Sequence, residues 1–179
     1  MTRCPDRPKL MIMDACVLID FIKAERAVLE LVVKYVGPLY VTSPVVEEIH
    51  EIDDENELVN LGLIIIEPEI EDAYTAAGTV AGPLSFEDWL CLLTAKRNGF
   101  TCVTNDKNLR KFCKQEGVSL LWGLELVAEL HKAGGLPGQE AEAFAQAIRQ
   151  SNPKHITEGI VSRFTELIRE QDGHGLRKK

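Results

Sequence analysis

The chain has 179 residues, 45% of them hydrophobic and 27% charged, which suits one globular domain with a short appendage and is ample for a buried core. Asp and Glu number 28 against 20 Lys and Arg, a net charge of −8, which makes the chain a poor non-specific binder of nucleic acid. Any contact with phosphate has to rest on a local basic patch or on bound metal.

In chain order, the first short apolar run is LMIM at 10–13, which stops at Asp14. LYV at 39–41 stops at Thr42, Ser43 and Pro44, and LIII at 63–66 stops at Glu67 and Pro68. TCV at 101–103 stops at Thr104, Asn105 and Asp106, and the run 118–122 ends at Gly123. Runs this short, apolar throughout and rich in β-branched residues read as strands buried on both faces. Helical patterns lie between them. Ser43-Pro44 reads as a cap followed by a first-turn proline. Leu84, Ser85, Asp88 and Trp89 read as a capping box with an apolar staple, opening a helix that stops at Gly99. A helix over about 107–116 is closed by Gly117. This alternation predicts a three-layer α/β/α fold with a mostly parallel sheet of about five strands.

The breaker-rich segment AGGLPG at 133–138 predicts a change of organisation. Ala141, Phe144, Ala145 and Ile148 form one helical stripe; Ile156, Ile160, Val161, Phe164, Leu167 and Ile168 form a second. We therefore expect an α/β domain over 1–132, a C-terminal helical hairpin over 133–171 and a disordered tail over 172–179. The exposed stripe of the hairpin suggests a packing partner, a second copy of the chain. The five cysteines (Cys4, Cys16, Cys91, Cys102 and Cys113) are odd in number with no CxxC pair, which predicts small buried hydrophobes, not a disulfide framework or a zinc site. No run approaches the ~20 apolar residues of a membrane span, and MTRCPDRPK lacks the apolar stretch of a signal peptide, so a cytoplasmic protein is expected.

Ligands of parallel α/β sheets bind outside the carboxyl ends of the strands. Asp14 and Asp106 directly follow apolar strands, and Glu48 and Asp88 are expected near the start of helices opening at the same rim. Carboxylates brought together raise one another's pKa, and a divalent cation removes that penalty. Hard oxygen donors without a His–Cys set suit Mg²⁺ or Mn²⁺ better than Zn²⁺. Each acid also has an ordinary structural reading: Asp88 as the capping partner of Ser85, Glu48 as a solvated helix residue, Asp106 as a helix cap, Asp14 as a turn residue. The histidines show no ligand spacing.

The segments MIMDACVLIDFIK (11–23), VTSPVVEEI (41–49), LSFEDWLCLLTAKRNG (84–99) and CVTNDKNLRKF (102–112) resemble, in order and spacing, the PIN-domain family. The resemblance is closest to the small ribonucleases of bacterial and archaeal toxin–antitoxin pairs. It implies a divalent-metal-dependent endoribonuclease whose catalytic and metal-binding acids are Asp14, Glu48, Asp88 and Asp106. It also implies supporting roles for Thr104 and Asp20, an RNA substrate and an antitoxin partner. The preference for Glu48 over Glu47, and for Asp88 over Glu87, rests on this resemblance. Ala15 departs from the pattern, since the family often carries a hydroxyl there, and the hairpin beyond 133 is a second departure. Lys107, Arg110, Lys111 and Lys114 recur at i, i+3, i+4 and i+7, one helical face suited to a phosphate backbone beside Asp106. A solvated cationic face near a helix C-terminus is the plainer reading of the same residues. The competing function is a catalytically weak PIN-like module that binds protein or RNA, which Ala15 and the acidic balance favour. A phosphatase of the haloacid type requires an acid two residues after Asp14, where Cys16 stands.

Overall fold

A strand buried on both faces alternates its side chains between two cores, and the central strand does so here. In the computed structural model, which describes residues 9–79 and 82–176, β1 (Met11–Met13) points Met11 and Met13 into one apolar cluster and Ile12 into another. Its neighbours are β2 (Leu39–Thr42), β3 (Ile64–Ile66), β4 (Thr101–Val103) and β5 (Leu120–Leu121). The five strands form one all-parallel sheet in the order β3-β2-β1-β4-β5. Helices cover both faces, giving the expected three-layer α/β/α architecture with C-terminal helices.

The helices are α1 (Ala15–Glu25), α2 (Ala27–Tyr35), α3 (Ser43–Glu47), α4 (Asn56–Asn60), α5 (Ile70–Gly78), α6 (Phe86–Asn98), α7 (Lys107–Gln115), α8 (Gly123–Lys132), α9 (Gly138–Ser151) and α10 (Glu158–Leu176). One cluster joins Met11 and Met13 to α1, α2, α8, α9 and α10; the other joins Ile12 to Cys91 and Leu92 of α6 and Leu109 and Cys113 of α7. The predicted capping box is formed: Ser85 Oγ accepts from the Asp88 amide at 3.0 Å and Asp88 Oδ2 accepts from the Ser85 amide at 2.9 Å. The helix ends on Gly99 at φ 67°, a left-handed position that glycine takes without steric cost.

Several expectations are corrected. β5 covers two residues instead of five, and Ile64 is exposed because β3 is an edge strand, open on one side. Ser43 is not a cap: it is the first residue of α3, and its Oγ donates to Glu67 Oε2 at 2.6 Å. Most of the stripe on α10 is not free for a partner, although Leu167 is exposed and Ile160 half-buried. Ile156, Val161, Phe164 and Ile168 are buried within the chain's own core, and Phe21 of α1 meets Phe144 of α9 edge to face at 5.0 Å. The hairpin therefore completes the cover on one face of the sheet, and the second copy loses the observation that suggested it. Residues 172–176, expected to be disordered, continue α10. The rest of that expected tail, 177–179, lies outside the described residues, as does Cys4. Cys91, Cys102 and Cys113 are buried free thiols, as expected, and Cys16 is half-buried.

Among the described residues, no helix is long and apolar enough to cross a membrane.

Candidate active site

The strand order places a topological switch between β1 and β4, where the chain's connections depart in opposite directions and a crevice opens at the carboxyl ends. Asp14 leaves β1 at that point with its amide donating to the Val103 carbonyl at 3.0 Å, so the backbone ladder fixes its position. Thr104 leaves β4 beside it. The Thr104 hydroxyl donates to Asp14 Oδ2 at 2.8 Å and accepts from the Asp106 amide at 3.0 Å. Cys16 Sγ donates to the same Asp14 oxygen at 3.0 Å. Asp14 is 4% exposed. Burial pushes its pKa up, and the Asp106 charge pushes the same way, against the hydrogen bonds from Cys16 and Thr104. The Cys16 thiol is itself pushed up, by burial and by Asp14, so it stays protonated and serves as a donor.

Asp106 caps α7 by accepting from the Leu109 amide through Oδ1 at 2.7 Å, which leaves its second oxygen available. Asp88 reaches the site from the first turn of α6. Its pKa is raised to about 6, first by burial and then by the charges of Asp14 and Asp106, with the capping bonds to Ser85 opposing. Glu48 does not lie in the first turn of a helix as expected. It follows the last residue of the short α3, its amide donating to the Val45 carbonyl at 3.2 Å and its side chain exposed, with no hydrogen bond or ion pair among the described residues. Partial desolvation and the charges of Glu87, Asp14 and Asp88 raise its pKa.

The fold therefore brings Asp14, Glu48, Asp88 and Asp106 into one mutually repelling electrostatic neighbourhood. No lysine, arginine or histidine among the described residues forms an ion pair with any of the four, although acids elsewhere on the surface are paired. Among the described residues, however, no three His, Cys, Asp or Glu side chains converge closely enough to hold one metal ion together. The donors fit a hard cation in chemistry. Mg²⁺ commonly keeps several waters and takes only one or two carboxylates directly, so a hard cation would not need all four acids as ligands.

Asp20 lies on α1, 4% exposed. Its Oδ1 accepts from Asn152 Nδ2 at 2.9 Å, while Oδ2 is buried with no hydrogen-bond partner. Burial raises its pKa, and the amides of Asn152 and Asn105 temper that rise. Of the basic face on α7, Lys107, Lys111 and Lys114 are exposed and lack acidic partners among the described residues. Arg110 departs from that face. Its guanidinium stacks 3.6 Å from the centre of the Trp122 ring, and its Nη1 donates to the Asn105 carbonyl.

Four contributors were not singled out from the sequence. Cys16 supplies the donor to Asp14 that Ala15 cannot, and Glu87 is the acid that most strongly affects Glu48. Asn105 Oδ1 accepts from the Gly123 amide at 3.0 Å and ties α8 to the β4 rim, and Asn152 brings the hairpin to Asp20. Asn105 was the most accessible of these, since it sits one residue before a candidate acid. No family model matches the chain, and no curated protein matches it.

Proposed function

We propose that the chain is a divalent-metal-dependent endoribonuclease of the PIN type that hydrolyses RNA phosphodiester bonds. The observation that carries this reading is the set of carboxylates at the β1–β4 switch point, mutually repelling and without cationic partners among the described residues. Such an arrangement costs stability unless a cation offsets it, so its presence argues for a cation. Asp14 and Asp106 are the residues best placed to hold Mg²⁺ or Mn²⁺, with Asp88 and Glu48 extending the field over a hydrated ion. When bound, such an ion supplies Lewis-acid polarisation of a phosphate and a more acidic attacking water. Thr104 holds Asp14 in one orientation and fixes the Asp106 amide, so both acids present a constant geometry. Lys107, Lys111 and Lys114 offer the phosphate backbone a cationic track on an otherwise acidic protein.

The same reading carries further proposals: a cytoplasmic toxin restrained by an antitoxin, and self-association of the chain. Size measurement of the purified protein, alone and with a co-expressed neighbouring gene product, tests both. A second reading, a catalytically weak module that binds RNA or protein, is favoured by Ala15 and by the spacing of the acids.

Cleavage of single-stranded RNA in Mg²⁺ or Mn²⁺ decides between them, with Asp14→Asn and Asp106→Asn beside the parent protein and Mn²⁺ binding measured by calorimetry. The nuclease reading expects each substitution to lower the rate at least ~100-fold, the scale on which catalytic groups act, and to weaken Mn²⁺ binding. Metal-dependent cleavage untouched by both substitutions refutes it. RNA binding without cleavage by the folded parent supports the second reading.

A further inference from the structure

A groove of about 360 Å³ opens between α8 and α10, directly beside the carboxylate rim. Its walls include Asn105, Trp122, Leu124, Ile160, Arg163 and Leu167. A concave, largely apolar surface with a few convergent polar groups has the form of a ligand site. Here the hairpin supplies one wall, which explains why the extension lies where it does.

We infer that this groove is a subsite in which an unstacked base of single-stranded RNA lies against Trp122, flanked by Arg110 and Arg163. The inference rests on the RNA reading above and names where the strand lies once it leaves the carboxylates. Trp122 is 38% exposed, a large aromatic surface left open in a chain whose other tryptophan, Trp89, packs against Phe112. Arg110 stacks on its ring, so one cation is already held at the edge of the groove. Arg163, exposed on α10, has no acidic partner among the described residues. The acid in the lining, Glu125, is engaged as a cap, with Oε2 accepting from the Trp122 amide at 2.9 Å. Two arginines around an aromatic platform on a protein of net charge −8 are complementary to an anionic chain of bases. Unpaired RNA bases are recognised by stacking on aromatic rings and guanidinium planes, with cations taking the phosphates. Asn105 makes the groove continuous with the cleavage site: its side chain lines the groove, and the next residue is Asp106.

The test uses the full chain carrying Asp14→Asn, so that RNA is held without being cut, and fluorescence anisotropy of a labelled single-stranded RNA in Mg²⁺. A matched oligonucleotide with abasic positions separates base from backbone. Trp122→Leu is expected to weaken binding of the base-bearing RNA by about 5- to 100-fold, the range for loss of one base stack. It should remove the preference over the abasic strand, with Trp122→Phe restoring part of it. Arg163→Glu, an exposed position with no ion pair or hydrogen bond to lose among the described residues, is expected to weaken binding of both strands, and covers the case in which Trp122→Leu fails to fold. Parent-like binding by Arg163→Glu and by folded Trp122 variants overturns the inference and assigns the groove to a protein segment instead. Cleavage by the otherwise native chain is scored separately, so weakened binding without any cleavage sinks the nuclease reading alone, while unchanged binding with intact cleavage sinks the subsite alone.

Discussion

The Thr104 hydroxyl spans the junction of β1 and β4, donating to Asp14 Oδ2 at 2.8 Å while accepting the Asp106 amide at 3.0 Å. One side chain, fully buried, thereby ties both strand-end acids to a common reference. Thr104→Val keeps the shape and deletes both bonds, so a destabilisation of about 1–3 kcal/mol is expected, the cost of stranding buried polar partners. Under the nuclease reading the cleavage rate falls by at least about tenfold through misplacement of Asp14, and Thr104→Ser recovers most of both losses. Urea denaturation and initial rates measure the two effects; a valine variant as stable and active as the parent removes Thr104 from the site.

Asp88 titrates at about 6 instead of its ordinary 3.8, and the pKa values of Asp14 and Glu48 are raised too. Groups with folded-state pKa above the unfolded value bind more protons in the native state, so their contribution to stability is present at low pH and lost as pH rises through the folded pKa. Without metal, the stability due to this cluster should therefore fall as pH rises from the ordinary Asp value of 3.8 through the raised Asp88 value of about 6, and level off above it. Asp88, being half-buried, accounts for on the order of 1–2 kcal/mol after allowance for solvent screening. Asp88→Asn should flatten the profile, and Mg²⁺ or Mn²⁺ should reverse the loss by binding the native state. Chemical denaturation across that range in EDTA checks the sign; a native state that gains stability over the interval, with no help from metal, contradicts it.

Asp88 closes a capping box and also faces the acidic field, and two substitutions separate these tasks. Ser85→Ala removes the capping hydroxyl and leaves the carboxylate; about 1 kcal/mol of stability should be lost, with cleavage reduced only slightly. Asp88→Asn retains a capping side chain but removes the charge, and should lower activity much further than stability. Equal effects of the two on activity would reduce Asp88 to its role as a cap.

Asn152 joins the hairpin to Asp20. Asn152→Ala removes a 2.9 Å hydrogen bond to a buried carboxylate whose other oxygen has no close partner among the described residues, so a loss of about 1.5–3 kcal/mol is expected. Asp20→Asn in the same background should recover part of it, because a neutral amide is cheaper to bury than an unpaired carboxylate. A thermal-melt double-mutant cycle reads the coupling, and additive effects would show that the two side chains act independently.

Much of this arrangement is legible from local pattern. The apolar runs before Asp14 and Thr104 are strands that do end there, as their shortness and the turn residues that follow them indicate. Ser85 and Asp88 announce their helix through a three-residue spacing that needs no tertiary information. What was not legible depends on contacts between distant segments. Cys16 reads as one more apolar cysteine until Thr104, 88 residues away, is brought beside it. Glu48 was misplaced because α3 starts at Ser43, close to where a helix was expected, but stops after five residues, so Glu48 lies just past its end. The stripe on α10 looked open because nothing in its own periodicity says that α8 and α9 already cover it. Arg110 kept its helical spacing but left the basic face, drawn by the Trp122 ring.

The contact between Asp20 and Asn152 links positions 132 residues apart, and the Phe21–Phe144 ring pair closes nearly as long a loop. The helix that opens at Asp14 is thus held on its outer side by residues that emerge late in synthesis. Closure of so long a loop is slow relative to local helix formation. A growing chain that has already made the strands carrying Asp14 and Asp106 still lacks the layer that holds α1 in place. The rim acids take their own hydrogen bonds from β4, α6 and α7, so the late helices brace the helix that opens at Asp14 without touching the acids themselves.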